Sequence, residues 1–192
     1  MKRWKAGDWI GAVVFALLLG VRLAQVARGQ IMAVPLACQA GLAAFLMLAR
    51  RPEQGGVFWT RKLTAWLAAL LPFGLQAGES TNFWLGVSLL GVGFSLWGLV
   101  SLGRSFGIAP ALRGLITGGA YRLVRHPMYA GELLSYAAVT AGHFRLWNLA
   151  LTGALLALFV LRIEWEEELL EESTDYVEYA RQVRWRMIPG VW

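Results

Sequence analysis

Gly118-Gly119-Ala120-Tyr121-Arg122-Leu123-Val124-Arg125-His126-Pro127-Met128-Tyr129-Ala130-Gly131 is polar, basic and rich in turn formers, in a chain that is otherwise mostly hydrocarbon. Two adjacent glycines free the backbone for an unusual turn. Pro127 pushes His126 toward extended geometry and can open a helix at its first position. One of only two histidines in the chain is thereby set between Arg125 and Tyr129, at the mouth of an apolar segment. Irregular polar backbone at a membrane edge belongs in a protein-lined cavity, because lipid cannot satisfy its hydrogen bonds. The stretch marks a site.

The rest of the chain supplies the membrane. With 57% hydrophobic and 16% charged residues, ten tryptophans and a mean hydropathy of +0.52, 192 residues do not describe an ordinary soluble domain. Apolar runs cover about residues 9–27, 31–49, 63–77 and 83–102, the third thinned around Pro72. Two more, 129–142 and 146–161, are separated by His143-Phe144-Arg145. The fifth is short for a crossing of about 20 residues, which suits a tight or tilted helical hairpin. The reading is an all-α, polytopic integral membrane helix bundle of about six membrane helices, ending in that hairpin and a charged helical tail. It forms a single domain, with four N-terminal spans over 1–102 and a site-bearing part over 103–192. The first apolar run is too long for a cleaved signal peptide. Cys38 is the only cysteine, so no disulfide or cysteine metal site is available, and two distant histidines make a poor metal set.

A net charge of +6 would suit nucleic acid, but the basic residues fall between apolar runs, which favours a membrane surface instead. With six spans and a cytoplasmic amino terminus, 15 of the 18 basic residues lie inside; Arg28 and Arg145 lie outside and Arg22 within a span. The positive-inside rule then places both termini and the 118–131 stretch in the cytoplasm, in an inner or plasma membrane. Arg22 either snorkels or faces the bundle interior. Glu132 is costly one turn into the hairpin, where an arginine such as Arg125 is a candidate partner.

A second polar cluster leaves the last span as Arg162-Ile163-Glu164-Trp165-Glu166-Glu167-Glu168. Arg162 and Glu166 share a helix face, and the hairpin returns that face to the level of His126 and Tyr129. Glu164, Glu167, Glu168, Glu171 and Glu172 read first as a solvated face, above which Glu166 and, to a lesser degree, Glu167 rise as site residues. Tyr176, Tyr179, Trp185 and Trp192 suit tail packing or an interfacial belt.

The Arg125-His126-Pro127-Met128-Tyr129 block, a hydrophobic hairpin, and Arg162 with Glu166-Glu167, in that order, resemble the isoprenylcysteine carboxyl methyltransferase family of membrane enzymes. Gly119-Ala120-Tyr121 and the closing Tyr176, Tyr179 and Ile188-Pro189-Gly190 add to the resemblance, which covers about residues 101–192. It implies S-adenosylmethionine as cofactor. His126, Pro127, Met128, Tyr129 and Glu166 would line its pocket, with Tyr121, Arg125 and Glu167 beside them. The segment Arg113-Gly114-Leu115-Ile116 would also touch it. Arg162 would face the methyl acceptor, as the catalytic and substrate-binding residue. The implied activity is carboxyl methylation of a lipophilic, isoprenylcysteine-like acceptor arriving from the bilayer. Related enzymes acting on phospholipid amines or small thiols share the motif. A transporter or a non-catalytic membrane scaffold stands as the alternative of another class, although the chain lacks the internal repeats expected of a transporter.

Overall fold

The computed structural model describes residues 6–30, 33–49, 59–76, 78, 80–105 and 115–192. Seven α-helices occur among these described residues, in chain order: α1 (Ala6–Ala27), α2 (Ala33–Ala49), α3 (Trp59–Leu70), α4 (Asn82–Leu102), α5 (Pro127–Gly142), α6 (Leu146–Leu170) and α7 (Thr174–Gln182). No strand occurs among the described residues. α3 ends in a 3-10 turn over Leu71–Gly74, which begins where Pro72 removes a backbone donor. Among the described residues three helices are long and apolar enough to cross a membrane: Trp9–Ala27, Asn82–Leu102 and Leu146–Leu170. The other three expected spans are shorter, at 17 residues for α2, 12 for α3 and 16 for α5. Length and composition among the described residues therefore support three of the six expected crossings.

Neighbours pack as α1 on α2, α2 on α4, α4 on α5, α5 on α6, and α6 on α3. The outward faces keep large apolar side chains, among them Leu17, Phe45, Leu90 and Val100, as a helix bordered by hydrocarbon would. Where α4 meets α5 the side chains nearly vanish. Gly91 and Ser95 face Gly131 and Ser135, Gly98 faces Pro127 and Met128, and the Ser88 and Ser135 hydroxyls bond at 2.9 Å. Such small-residue seams let helix backbones approach closely. A Cβ on Gly131 would strike the Gly91 carbonyl and the Ser95 amide, both backbone atoms that cannot swing aside. Gly131→Ala is thus expected to destabilise the purified protein by about 2 kcal/mol, read as a lowered melting temperature. Gly93→Ala, where an added Cβ meets nothing, should leave it unchanged or slightly raised.

The turn between α5 and α6 is locked from inside. Asn148 is wholly buried; its amide donates to the Gln76 and His143 carbonyls at 2.9 and 3.1 Å, and its Oδ1 accepts the Gln76 amide at 3.0 Å. One polar side chain in an apolar helix thereby satisfies three backbone groups and ties the hairpin to the segment after α3. His143 caps the end of α5 and accepts a bond from Arg145, a turn residue as expected.

Candidate active site

The turn before α5 needs one glycine rather than two. Gly119 adopts φ +62°, while Gly118 is extended. The Ser101 hydroxyl, at the end of α4, lies where a Gly119 Cβ would stand and receives the Ala120 amide at 3.3 Å. Pro127 then opens α5, and His126 precedes the helix at φ −128° and ψ 62°. Arg125 and His126 leave their backbone amides free of any helix. They donate to the Trp185 and Arg186 carbonyls at 2.9 and 2.8 Å, so the chain's tail lies beside the turn like a short added strand.

Glu167 is the centre of the charged network. It is 2% exposed, and its Oε1 lies 3.1 Å from His126 Nε2 and 3.2 Å from Arg125 Nε. Its Oε2 accepts a bond from Arg186 Nε at 2.8 Å. Three cationic or donor groups from two chain segments converge on one carboxylate. Glu167 is spoken for as an anchor. The carboxylate beside Arg125 is that of Glu167.

One residue earlier, Glu166 does different work. Its Oε1 accepts the Tyr129 hydroxyl at 2.5 Å and an Arg162 N–H at 3.3 Å. Its Oε2 sits 3.8 Å from His126 Nδ1, and about a fifth of the side chain, 21%, reaches the surface. Glu166 thus keeps acceptor capacity that Glu167 has lost. In the tautomer whose Nε2–H donates to the Glu167 carboxylate, a neutral His126 presents Nδ1 as a lone pair toward Glu166.

Arg162 is buried. It donates to the Ala65 carbonyl of α3 at 3.2 Å and lies 5.1 Å from the Tyr129 ring centre. Tyr129 also stacks on Phe159 and His126, with ring centres 5.0 and 5.8 Å apart. With its ring engaged by three neighbours, Tyr129 offers a ligand its hydroxyl rather than the open aromatic face that a sulfonium would seek.

The tail holds the turn down. Tyr179 donates to the Tyr121 carbonyl at 2.7 Å, and Tyr176 and Tyr179 are both buried. Burial, only partly offset by Arg125 and reinforced by Glu167, pushes the Tyr179 hydroxyl up to about 12. Tyr121 is raised as well, first by burial and then by the Glu166 charge.

Of the residues expected in the site, Tyr121, Arg125, His126, Tyr129, Arg162, Glu166 and Glu167 come together. Pro127 and Met128 do not present chemistry. Pro127 packs against Gly98 of α4, and Met128 fills the join between the two apolar clusters. Leu115 and Ile116 are half-buried in the approach to the turn, and Arg113 and Gly114 lie outside the described residues. Glu164, Glu168, Glu171 and Glu172 are exposed, as expected. Arg186 was not expected. Among Arg181, Arg184 and Arg186 only its position just before the apolar Met187-Ile188-Pro189 run sets it apart in the sequence.

Two comparisons bear on this geometry. Residues 81–174 match the model of the phospholipid methyltransferase family. The chain is also 31% identical over 111 residues to Protein-S-isoprenylcysteine O-methyltransferase B of Arabidopsis thaliana. Both are likenesses to methyltransferases. The stretch shared with the Arabidopsis protein is 54% of this chain and 56% of that one, so the chain spans about half the length of the curated relative it matches. The 81–174 match takes in α4, the turn, α5 and α6, and with them every residue of the converging cluster except Arg186. Arg186 and the rest of the tail beyond residue 174 lie outside it.

Proposed function

We propose that the chain is an S-adenosylmethionine-dependent membrane methyltransferase that esterifies the carboxylate of a lipophilic, isoprenylcysteine-like acceptor entering from the bilayer. The observation that carries this reading is the buried Arg162 guanidinium, one helical turn from Glu166, which still has an acceptor oxygen to offer. The donor set fits the cofactor. Glu166 Oε2 suits an ammonium or ribose hydroxyls, and the Tyr129 hydroxyl and His126 supply further polar contacts. S-adenosylmethionine, when bound, supplies the activated methyl group.

The chain's own residues do the rest. Arg162, fixed by Ala65 and Glu166, would hold an acceptor carboxylate by its planar fork and aim one oxygen at the methyl group. A carboxylate is already ionised at neutral pH and needs no base. An amine or thiol acceptor would need one, and with Glu167 committed to three partners only His126 Nδ1 is placed for it. Methylation of a phospholipid amine would also gather positive charge beside a buried guanidinium, which disfavours that alternative. The helices over 1–102 would form the acceptor side, and the site and both termini would face the cytoplasm, as the distribution of basic residues suggests.

The test is methyl incorporation by purified protein from labelled S-adenosylmethionine. Prenylcysteine analogues and an aminophospholipid would be offered side by side. A base-labile label on the prenylcysteine alone is expected. A base-stable label on the aminophospholipid would reverse the substrate assignment.

A further inference from the structure

Arg186 comes to the site from the tail, and it meets His126 from two sides. Its carbonyl accepts the His126 amide at 2.8 Å. Its Nε donates to Glu167 Oε2 at 2.8 Å, and the other oxygen of that carboxylate, Oε1, lies 3.1 Å from His126 Nε2. Arg186 is itself held. Its amide donates to the Trp192 carbonyl at 3.0 Å, and its guanidinium lies 5.0 Å from the Trp192 ring centre. One arginine thus bears on both the backbone and the ring of one histidine.

What this hold protects is the glutamate next door. Glu167 Oε1 serves both His126 Nε2 and Arg125 Nε, at 3.1 and 3.2 Å, while Oε2 serves Arg186. Without the Arg186 guanidinium, Oε2 would be a buried carboxylate oxygen short of its cationic donor. The remedy nearest to hand is a turn of the carboxylate that shares the Arg125 fork between both oxygens. His126 Nε2 then loses its acceptor. The other ring nitrogen, Nδ1, lies 3.8 Å from Glu166 Oε2. A neutral imidazole carries one N–H, so it can donate to one glutamate or the other, not to both. With the proton on Nδ1, a small movement closes that gap and occupies the oxygen that Glu166 otherwise offers.

We infer that Arg186 is a positioning residue: by fixing Glu167 it commits the His126 proton to Nε2 and so keeps Glu166 Oε2 open to a ligand. That the ligand is S-adenosylmethionine, through its ammonium or ribose hydroxyls, rests on the methyltransferase reading; the state of the His126 ring does not. Arg186 acts through Glu167 rather than on the cofactor itself.

The experiment reads the His126 tautomer by nitrogen-15 NMR of the detergent-purified full chain with labelled histidine, at about pH 9, where an ordinary imidazole is neutral. The chain has two histidines, and His143→Gln assigns their signals. His143 is an internal reference of the opposite kind, because its Nε2 accepts from Arg145 Nε at 2.8 Å and its proton is therefore on Nδ1. S-adenosylhomocysteine affinity is measured on the same samples. Wild type should show His126 as the Nε2–H tautomer. Arg186→Met should shift it toward Nδ1–H and weaken S-adenosylhomocysteine about tenfold, the scale of one charge-assisted hydrogen bond. Arg186→Lys should keep most of both properties, and Arg184→Met, at an exposed position of the same tail, should change neither. A mere loss of tail packing would lower the melting temperature without moving the tautomer. Should Arg186→Met fail to fold, Arg186→Gln, which keeps an N–H donor and loses the charge, is read in its place. An Nδ1–H His126 in wild type, or a tautomer unmoved in the folded variant, would overturn the inference. A tautomer shift without S-adenosylhomocysteine binding in wild type would uphold the positioning role and sink the methyltransferase reading; binding in wild type with an unmoved tautomer would do the opposite.

Discussion

Replacing Glu167 with alanine is expected to lower stability by about 3 kcal/mol, because it strands Arg125, His126 and Arg186 around a buried void. The loss should be local before it is global. Arg186 and the backbone bonds to Trp185 and Arg186 hold the tail against the turn, so brief protease treatment should clip the variant within residues 175–192 while wild type stays whole. The neighbouring Glu168→Ala is the contrast. Glu168 also makes a short ion pair, 2.6 Å to Arg61, but its side chain is 64% exposed, and an exposed pair of this kind contributes at most about 1 kcal/mol. Thermal melting of the two variants in the same detergent separates an anchor from a surface pair. Equal melting temperatures would contradict the central place given to Glu167.

The largest effect on activity is expected at Arg162. Arg162→Met should lower methyl transfer at least about a hundredfold, the scale for removing a fixed charge-bearing donor from a water-poor site. S-adenosylhomocysteine affinity should fall by less than about tenfold, because Glu166 and Tyr129 remain. Arg162→Lys should recover little. The guanidinium bonds Ala65, contacts Glu166 and lies over the Tyr129 ring at once, and a single ammonium cannot copy that fork. Measuring kcat and KM for acceptor and cofactor separately assigns the loss. A loss confined to cofactor affinity would move Arg162 out of the acceptor's half of the site.

The two polar clusters were legible in the sequence because each is local: Arg125 to Tyr129 surrounds a proline that fixes the helix start, and Arg162 and Glu166 share a helix face. What joins them was only half legible. The hairpin implies that the two clusters meet, but not that adjacent glutamates part company. Glu166 keeps a partly open oxygen, whereas Glu167, which resembles its solvated neighbours in composition, is fully buried because one turn of α6 aims it at the tail. Arg186 was invisible for the same reason. Its partner is 19 residues away, and only the apolar run that follows it distinguishes it from Arg181 and Arg184. Of the six expected crossings, length and composition support three among the described residues. Apolar composition marks 31–49, 63–77 and 129–142 as hydrocarbon-compatible, but α2, α3 and α5 are shorter than a bilayer is thick. Arg22 shows the limit from the other side: its sequence allows snorkelling or an inward pose, and only packing against Phe73 decides between them.

The most direct measurement is calorimetric titration of the detergent-purified chain with S-adenosylmethionine and S-adenosylhomocysteine, beside Glu166→Ala and Glu168→Ala. The expected result is micromolar binding at one site, kept in Glu168→Ala and lost in Glu166→Ala, with wild type and both variants eluting as folded protein. A well-folded wild type that binds neither compound would contradict the assignment of the Glu166–Tyr129–His126 cluster as a cofactor site, and with it the methyltransferase.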